Sequence, residues 1–218
     1  MKTTVAIVGL GSRGRVTYAP IAKQYPDLME ITALADINPA CVEEAAKEYN
    51  VPKERCFTSA EELLAQPKLA DAIFICTQDQ DHVREAPMAL EKGYHILMEK
   101  PISPSAEDCN KLLEASHKYD RKIVVCHVLR YTPFFSKIKE IISEGTIGDV
   151  VTIQAIENVG YWHQAHSFVR GNWRNSNTTS PMCLQKTCHD FDLYLWLADK
   201  TPKRVSSMGD TYFFKEAC

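Results

Sequence analysis

The fold of this chain is decided by the stretch TVAIVGLGSRGRVTY, residues 4–18. The apolar run 5–8 leads into a glycine pattern formed by Gly9, Gly11 and Gly14. Apolar positions then recur at helical spacing, so the stretch predicts a strand, a tight turn and a helix. In a dinucleotide-binding unit the first glycine permits the turn, the second lets a pyrophosphate approach the backbone, and the third allows close packing of helix on strand.

A second predicted strand, 31–35, ends at Asp36. An acidic side chain about twenty residues beyond the last glycine accepts hydrogen bonds from an adenosine ribose, so the sequence predicts an NAD site that also uses Ser12 and Arg13. Asp36 favours NAD because a carboxylate repels the 2′-phosphate of NADP, while Arg13 and Arg15 leave NADP open. The alternative, a glycine-rich turn in an empty α/β domain, gives Asp36 no role.

The length, composition and net charge indicate a globular chain without a strong charge bias. Of 218 residues, 45% are hydrophobic and 24% charged, which allows one large domain or two modest ones. The formal net charge of -3 gives no electrostatic reason to expect a nucleic acid or a membrane as partner. No apolar run approaches the roughly twenty residues that span a bilayer, and no signal-peptide pattern is present. We therefore expect a cytoplasmic protein.

The eight cysteines are scattered, and no pair has the C-x-x-C spacing of a zinc or redox site. We expect most of them to be reduced, buried thiols, and we predict no metal. Cys183 and Cys188 lie close to His189 in the sequence, which leaves a metal or redox role as the alternative.

After Asp36, strands and helices alternate with short connections. The predicted helices are 41–49, 61–66, 82–92 and 106–119, and the predicted strands are 71–77, 95–98 and 122–126. This alternation predicts an α/β fold, a doubly wound parallel sheet whose chemistry lies at the carboxyl ends of the strands. The positions predicted to face the cofactor are Gly9, Gly11, Ser12, Arg13, Gly14, Asp36, Thr77, His82, Glu99 and Lys100.

Near residue 128 the pattern changes, so we predict a dinucleotide-binding domain over 1–127 and a substrate and oligomerisation domain over 128–218. The second domain is expected to be α+β, with helices at 134–144 and 189–199, a strand at 150–156 and another from 204 onward. Its last strand is expected to leave an unpaired edge. The residues predicted to line a substrate pocket are Lys100, Arg130, Tyr161, Trp162, His166, Trp173 and His189.

Two side chains are candidates for catalysis. Lys100 follows a predicted buried strand and precedes Pro101, which favours an extended backbone and suits a lysine that polarises a substrate oxygen. His189 is predicted to begin a helix, whose N-terminus would lower the imidazole pKa and favour the proton-accepting form. The alternatives are a surface lysine in a turn and a packed or capping histidine. His82 is expected to cap or pack near the cofactor, and His163 to line the pocket or be exposed.

The motifs together resemble the glucose-fructose oxidoreductase and inositol dehydrogenase (Gfo/Idh/MocA) family. The segments that carry the resemblance are GLGSRG at 9–14, Ala35-Asp36, Thr77 with His82, GYHILMEKP at 93–101 and CHDFD at 188–192. It implies a Rossmann domain, a second domain on a mostly antiparallel open sheet that forms homodimers or homotetramers, and hydride exchange between NAD(P) and a sugar, inositol or related polyol. By position, Lys100 matches the active-site lysine and His189 the catalytic histidine.

Two departures from the family pattern matter. Members often carry an aspartate four residues before the histidine, where this chain has Gln185 followed by Lys186. Gln185 can orient a hydroxyl but cannot take a proton, and Lys186 is the candidate to replace the aspartate electrostatically. Members also usually exceed three hundred residues, so the chain resembles a truncated member. A glycoside hydrolase that uses NAD for transient oxidation, and a non-catalytic nucleotide-sensing regulator, remain as alternative functions.

Overall fold

The computed structural model describes residues 1–175, 179–210 and 212. The chain divides into two compact units, Met1–Cys126 and His127–Cys218. Cys218 and the end of the strand predicted from 204 onward lie outside the described residues. None of the described helices is long and apolar enough to cross a membrane.

The first unit is built on a six-stranded parallel sheet in the order β3-β2-β1-β4-β5-β6. The strands are β1 Thr3–Val8, β2 Met29–Ala35, β3 Cys56–Phe57, β4 Ala72–Ile75, β5 His95–Met98 and β6 Ile123–Val125. This is the strand order of a doubly wound dinucleotide-binding fold, which confirms the parallel sheet predicted for the first domain. The order reverses between β1 and β4, so a crevice is expected outside the carboxyl ends of these two strands.

Helices connect the strands of the first unit. They are a π-helix Ser12–Tyr18, α1 Ile21–Gln24, α2 Pro39–Tyr49, a 3₁₀ turn Lys53–Arg55, α3 Ala60–Ala65, α4 Asp79–Glu91 and α5 Ala106–Lys118. Local chemistry fixes their ends: the Asn38 side chain accepts a hydrogen bond from the Ala40 amide at 3.1 Å, and Ser59 Oγ accepts one from the Glu62 amide at 3.1 Å. Gly93, at φ +85°, closes α4.

Alternating side chains of the strands fill a core on each face of the sheet. On β1, Ala6 and Val8 pack with the buried residues of α3, α4 and α5. Val5 and Ile7 point to the other face and pack with residues of β2 and α2. Burial on both faces explains why these strands are continuous apolar runs.

Thr4 and Asp71 join the amino-terminal ends of β1 and β4. Asp71 Oδ2 accepts hydrogen bonds from the Thr4 amide at 2.9 Å and from Thr4 Oγ1 at 2.7 Å, while the Asp71 amide donates to Thr4 Oγ1 at 2.9 Å. These bonds hold the pKa of Asp71 below its usual value. The pair therefore fastens the two strands at the end opposite the crevice.

The regular elements that the structure describes in the second unit are all helical. Its elements are a 3₁₀ turn Val128–Tyr131, α6 Pro133–Ser143, α7 Tyr161–Gln164, a π-helical turn Ala165–Val169 and α8 Met182–Ala198. The segment 161–169, which carries the predicted substrate residues Tyr161, Trp162 and His166, is thus helical. The predicted helix at 134–144 is confirmed within one residue at each end.

Three predictions for the second unit are wrong. Residues 150–156 form no strand, nor do 204–210, and the antiparallel sheet therefore stays a prediction. A strand needs a hydrogen-bonded neighbour, and here Val151 is 91% exposed. Helix α8 begins at Met182, after Pro181, so His189 lies within the helix and not at its N-terminus. The apolar stripe of this helix, formed by Leu193, Trp196 and Leu197, lies in the second half of α8, which is why periodicity placed the start of the helix too late.

Candidate active site

The three glycines of the turn meet different surroundings. Gly9 has φ +86°, and a Cβ there would lie 2.7 Å from the carbonyl carbon of Cys76. A Cβ on Gly14 would lie 1.9 Å from the carbonyl oxygen of Gly9, so helix and strand approach too closely for a side chain. A Cβ on Gly11 would meet no atom within 4 Å. The first and third glycines serve the fold, and the second leaves open space above the turn.

Asp36 lies at the end of β2 and is tied to the glycine turn. Its Oδ2 accepts a hydrogen bond from the Leu10 amide at 2.5 Å, and its Oδ1 accepts one from the Asn38 amide at 2.8 Å. The carboxylate is therefore held in place by the turn and by the start of α2. It also faces a cleft of about 490 Å³ at the predicted crevice.

The cleft lies where the strand order reverses. It is lined by residues of the glycine turn, of the segments after β2 and β4, and of α3 and α4, among them Gly9, Gly11, Asp36, Ser59, Glu61, Thr77, Gln78, Asp81, Arg84 and Glu85. Arg84 is paired with Glu61, with Asp81 at 2.8 Å and with Glu85 at 3.5 Å. The charge of this arginine is thus compensated by carboxylates, and the cleft wall is acidic.

Sequence reasoning missed Glu85, which is 3% exposed in α4. Thr77 donates a hydrogen bond from its hydroxyl to Glu85 Oε2 at 2.7 Å. Burial raises the pKa of Glu85 to about 7 against this hydrogen bond, with repulsion from Asp81 adding to the effect. The sequence predicts a helix over 82–92, but a glutamate within a helix gives no sign by itself that its carboxyl group is buried.

His82 packs between two backbone segments, as expected. It is 1% exposed, with Nδ1 3.1 Å from the Pro101 carbonyl oxygen and Nε2 3.2 Å from that of Thr77. Burial lowers the pKa of His82, and the carbonyl contacts oppose that change. The imidazole thus connects the segment after β4 to the segment after β5. Its role as a cofactor ligand stays a prediction.

The segment after β5 carries Glu99 and Lys100, with a cis peptide bond between Lys100 and Pro101. Lys100 is half-buried, while Glu99 is only 7% exposed. The Glu99 carboxylate accepts hydrogen bonds from the Tyr18 hydroxyl and, at 3.2 Å, from the Lys100 amide. Both carboxylate oxygens therefore have partners within the first unit.

A larger cleft of about 730 Å³ lies elsewhere in the first unit. It is lined by the start of β2 and the end of α2, including Glu30, Tyr49 and Arg55. Ligands of doubly wound sheets bind outside the carboxyl ends of the strands, whereas Glu30 lies near the amino end of β2. We therefore do not assign the cofactor to this cleft.

In the second unit, α8 carries the predicted catalytic residues Gln185, Lys186 and His189. Gln185 is 6% exposed, and His189 follows it by one helical turn on the same face. Because His189 lies inside α8, a helix N-terminus cannot be the reason for a proton-accepting imidazole, and that part of the prediction is wrong. The residue's catalytic role stays a prediction.

Asp192 forms a cluster that sequence reasoning missed. Arg130 binds it through two hydrogen bonds, from Nε at 2.6 Å and from Nη2 at 2.5 Å. His127 Nδ1 lies 3.0 Å from Asp192 Oδ1, and the rings of His127 and His189 are 6.0 Å apart, edge to face. The guanidinium of Arg130, predicted to bind substrate, is engaged with a carboxylate. The signal for Asp192 was its position three residues after His189, on one helix face.

The predicted substrate residues of segment 161–173 form aromatic contacts. Trp162 and His166 stack with their ring centroids 4.9 Å apart, and Phe168 lies 6.3 Å from Trp173. Tyr161 is 80% exposed. Among the described residues, no group of three or more His, Cys, Asp or Glu side chains is arranged to hold a metal.

Comparisons with known proteins agree with this architecture. Residues 3–127 match the family described as "Oxidoreductase family, NAD-binding Rossmann fold", and residues 135–216 match the "GFO/IDH/MocA C-terminal domain". Inositol 2-dehydrogenase of Corynebacterium glutamicum (strain R) is 28% identical over 195 residues, covering 89% of this chain and 53% of that protein. The scyllo-inositol 2-dehydrogenase (NADP(+)) IolW of Bacillus subtilis (strain 168) is 25% identical, covering 93% and 52%.

A solved structure shares the fold. The crystal structure of scyllo-inositol dehydrogenase from Lactobacillus casei, with bound NAD(H) and scyllo-inositol, superposes with a TM-score of 0.79 at 24% identity over 91% of this chain and 57% of that one. The chain spans about half the length of the curated relatives it matches. With both family domains matched in order and the strand order of a dinucleotide-binding sheet, the chain belongs to the Gfo/Idh/MocA family of oxidoreductases.

Proposed function

We propose that the protein is an NAD-dependent oxidoreductase that exchanges hydride between the nicotinamide cofactor and a hydroxyl of a sugar, inositol or related polyol. The observation that carries the proposal is the cleft at the strand-order reversal, which the open space at Gly11 and the carboxylate of Asp36 both face. The relative from Corynebacterium glutamicum, named an inositol 2-dehydrogenase, supports the substrate class.

The residues of the first unit fit a dinucleotide. The absence of any atom within 4 Å of a Cβ on Gly11 leaves room for a pyrophosphate against the backbone, which Ser12, Arg13 and Gly14 would contact. Asp36 would hold the adenosine ribose, and Thr77, His82, Glu99 and Lys100 would shape the rest of the cofactor site. When bound, NAD⁺ supplies the acceptor for the hydride that leaves the hydroxyl-bearing carbon.

NAD is proposed over NADP for two electrostatic reasons. Asp36 is fixed by the turn with its carboxylate towards the cleft, where it would repel a 2′-phosphate. Arg84, which lines the same cleft, is already paired with carboxylates and offers little net positive charge. The alternative is NADP, whose 2′-phosphate would be bound by Arg13 and Arg15, and one relative carries NADP(+) in its name.

The chain's own residues divide the remaining work. His189 accepts the proton of the substrate hydroxyl, and Lys100 donates a hydrogen bond to the same oxygen and stabilises negative charge as it develops. Gln185 orients the substrate, and Lys186 supplies a positive charge near it. Arg130, Tyr161, Trp162, His166 and Trp173 are proposed to bind the polyol. Cytoplasmic location and homodimers or homotetramers through the second unit complete the proposal.

The test measures cofactor binding and turnover separately. Wild-type protein should bind NADH and form NADH from NAD⁺ and one member of a panel of inositols and sugars. Lys100→Ala should lower kcat by a factor on the order of 10² to 10³ with an NADH affinity within about 3-fold of wild type, because it removes a hydrogen bond made to the reacting oxygen. His189→Ala should behave in the same way. The matched control for Lys100→Ala is Lys122→Ala, which changes an exposed lysine of the first unit.

The outcomes separate the rival functions. Release of sugar from glycosides without net formation of NADH would support the hydrolase. Binding of NADH without turnover of any substrate in the panel would support the regulator. Equal turnover by wild type and by the Lys100 and His189 variants would contradict the assigned roles.

A further inference from the structure

Glu99 is a buried carboxylate that joins two distant parts of the first unit. Its Oε1 accepts a hydrogen bond from the hydroxyl of Tyr18, which precedes it by 81 residues. The guanidinium Nε of Arg13 lies 3.8 Å from the same oxygen. Its Oε2 accepts a hydrogen bond from the Lys100 amide at 3.2 Å. One carboxylate therefore connects the helix of the glycine turn with the main chain at Lys100.

Tyr18 is held in a single position by its surroundings. It ends the π-helix of the glycine turn, where the Ala19 amide bonds to the Gly14 carbonyl at 2.9 Å, and it is 8% exposed. Its ring packs edge to face on Phe74 of β4, with centroids 6.1 Å apart. Burial raises the pKa of Tyr18, with its hydrogen bonds to Cys126 and Glu99 adding to the effect. The hydroxyl therefore keeps its proton and acts as the donor to Glu99.

The bond between Tyr18 and Glu99 is of a strong type. A hydrogen bond to an ionised acceptor is stronger than a neutral one, and burial of both groups removes the competition from water. If the donor is removed, the carboxylate keeps its burial but loses part of its compensation. Its side chain then has reason to move, and the Lys100 amide bonded to Oε2 would move with it.

We propose that Tyr18 is a positioning residue for Lys100, acting through Glu99 so that the glycine turn and the segment that carries Lys100 form one rigid support. The inference rests on the proposed function, because it gives Tyr18 a part in turnover through Lys100. It also gives Glu99 a role inside the protein in addition to any contact with the cofactor. Tyr18 itself touches neither substrate nor cofactor in this scheme.

The test compares Tyr18→Phe with a matched control, Tyr94→Phe. Tyr94 is 1% exposed, and its hydroxyl accepts a hydrogen bond from the Leu69 amide at 2.8 Å. Both variants remove one buried hydroxyl from the first unit, but only Tyr18 reaches Glu99. Thermal melting of both establishes that they fold, and amide hydrogen exchange and steady-state kinetics of the full chain then report the two parts of the inference.

Tyr18→Phe should speed exchange of the Lys100 amide about 10-fold, because that amide loses a fixed acceptor. It should lower kcat about 10-fold while the KM for NAD⁺ stays within about 3-fold, because a displaced Lys100 affects the reacting oxygen more than dinucleotide binding. Tyr94→Phe should speed exchange of the Leu69 amide, leave that of Lys100 unchanged and keep the wild-type kcat.

A double variant tests the route through Glu99. In a Glu99→Ala background, which lacks the acceptor of the Tyr18 hydroxyl, Tyr18→Phe should change kcat less than about 2-fold, because two residues that act through one contact are not additive. Full additivity of the two substitutions would show that Tyr18 does not act through Glu99. Unchanged exchange of the Lys100 amide in Tyr18→Phe would show that Tyr18 does not position Lys100. If Tyr18→Phe speeds exchange of the Lys100 amide but keeps the wild-type kcat, Tyr18 has a structural role only, and the proposed role in turnover is wrong. A wild-type protein that binds no dinucleotide refutes the proposed function, and exchange at Lys100 then still decides the link.

Discussion

At the scale of single residues, different glycines of the turn serve the fold and the proposed cofactor site. Gly9 and Gly14 are surrounded by backbone atoms at distances that exclude a Cβ, whereas Gly11 faces open space at φ -74°. An L-residue can adopt the backbone of Gly11 without strain but not that of Gly9. Substitutions within one turn can therefore distinguish the needs of the fold from those of the cofactor.

Gly11→Ala should fold as wild type and bind NADH at least about 10-fold more weakly, because the added methyl group occupies the space where a pyrophosphate approaches the backbone. Gly14→Ala should lower the stability of the first unit by about 3 kcal/mol or more, because its Cβ collides with the Gly9 carbonyl. Circular dichroism follows folding, and titration of NADH fluorescence follows binding. Wild-type NADH affinity in Gly11→Ala would rule out a pyrophosphate at this position.

Residues that follow apolar strands were accessible from the sequence. Asp36 and Lys100 were found because each comes directly after a strand whose carboxyl end faces the crevice of a doubly wound sheet. Tyr18 and Glu85 lie within helices, where periodicity shows which face is buried but not which polar groups meet there. Their partners are distant in sequence, as the 81 residues between Tyr18 and Glu99 illustrate.

At the scale of elements, contacts of Asp192 with Arg130 and His127 hold α8 to the start of the second unit. Asp192 has a side chain only 9% exposed, and it receives both hydrogen bonds from Arg130 as well as the contact with His127. Charge-assisted bonds in this planar, two-pronged geometry are stronger than a single exposed ion pair. Such a cluster fixes the rotation of α8 and with it the direction of His189.

Asp192→Asn should lower the free energy of unfolding of the second unit by about 1 to 3 kcal/mol, because the Arg130 guanidinium loses a charged partner. Glu140→Gln, which removes the exposed pair of Lys137 and Glu140, is the control and should change stability by at most about 0.5 kcal/mol. All three tryptophans lie in the second unit, so tryptophan fluorescence during urea unfolding reports on it directly. A loss in Asp192→Asn no greater than in the control would show that the cluster is not stabilising.

The sequence predicts an element correctly where one hydrophobic pattern extends over its whole length. The strands of the first unit were found because burial on both faces makes them continuous apolar runs. The strand predicted at 150–156 failed because alternation marks a segment that suits a sheet, while pairing depends on a neighbouring strand that local sequence cannot supply. Helix α8 was predicted, but its predicted start at His189 lies seven residues after its true start at Met182.

At the scale of the whole molecule, the buried carboxyl of Glu85 makes stability depend on pH. Its pKa is about 7 in the folded protein against an ordinary value of 4.5, so the folded state binds a proton that the unfolded chain has lost. Stability is unaffected by this group below pH 4.5, falls as the pH rises from 4.5 to about 7, and stays reduced above. The difference between the two pKa values corresponds to about 3 kcal/mol.

Glu85→Gln should therefore be more stable than wild type at pH 8, by on the order of 3 kcal/mol, and nearly equal to it at pH 4. The amide cannot ionise, and its oxygen can still accept the hydrogen bond of Thr77. Glu91→Gln, at an exposed position of the same helix, should track wild type at both pH values. Denaturant unfolding monitored by circular dichroism measures the difference, and a gain of equal size at both pH values would exclude ionisation of Glu85 as its cause.

The pairing of Thr4 with Asp71 has an effect at the far side of the sheet. A parallel pair of strands can slide only in whole residues, and each step turns every side chain to the opposite layer. Fixing β1 and β4 at their amino-terminal ends therefore sets their register at the carboxyl ends, where Val8 is paired with Ile75 and Gly9 lies beside Cys76. A substitution at Thr4 or Asp71 would therefore misalign the glycine turn with the segment after β4, although neither residue contacts the cleft.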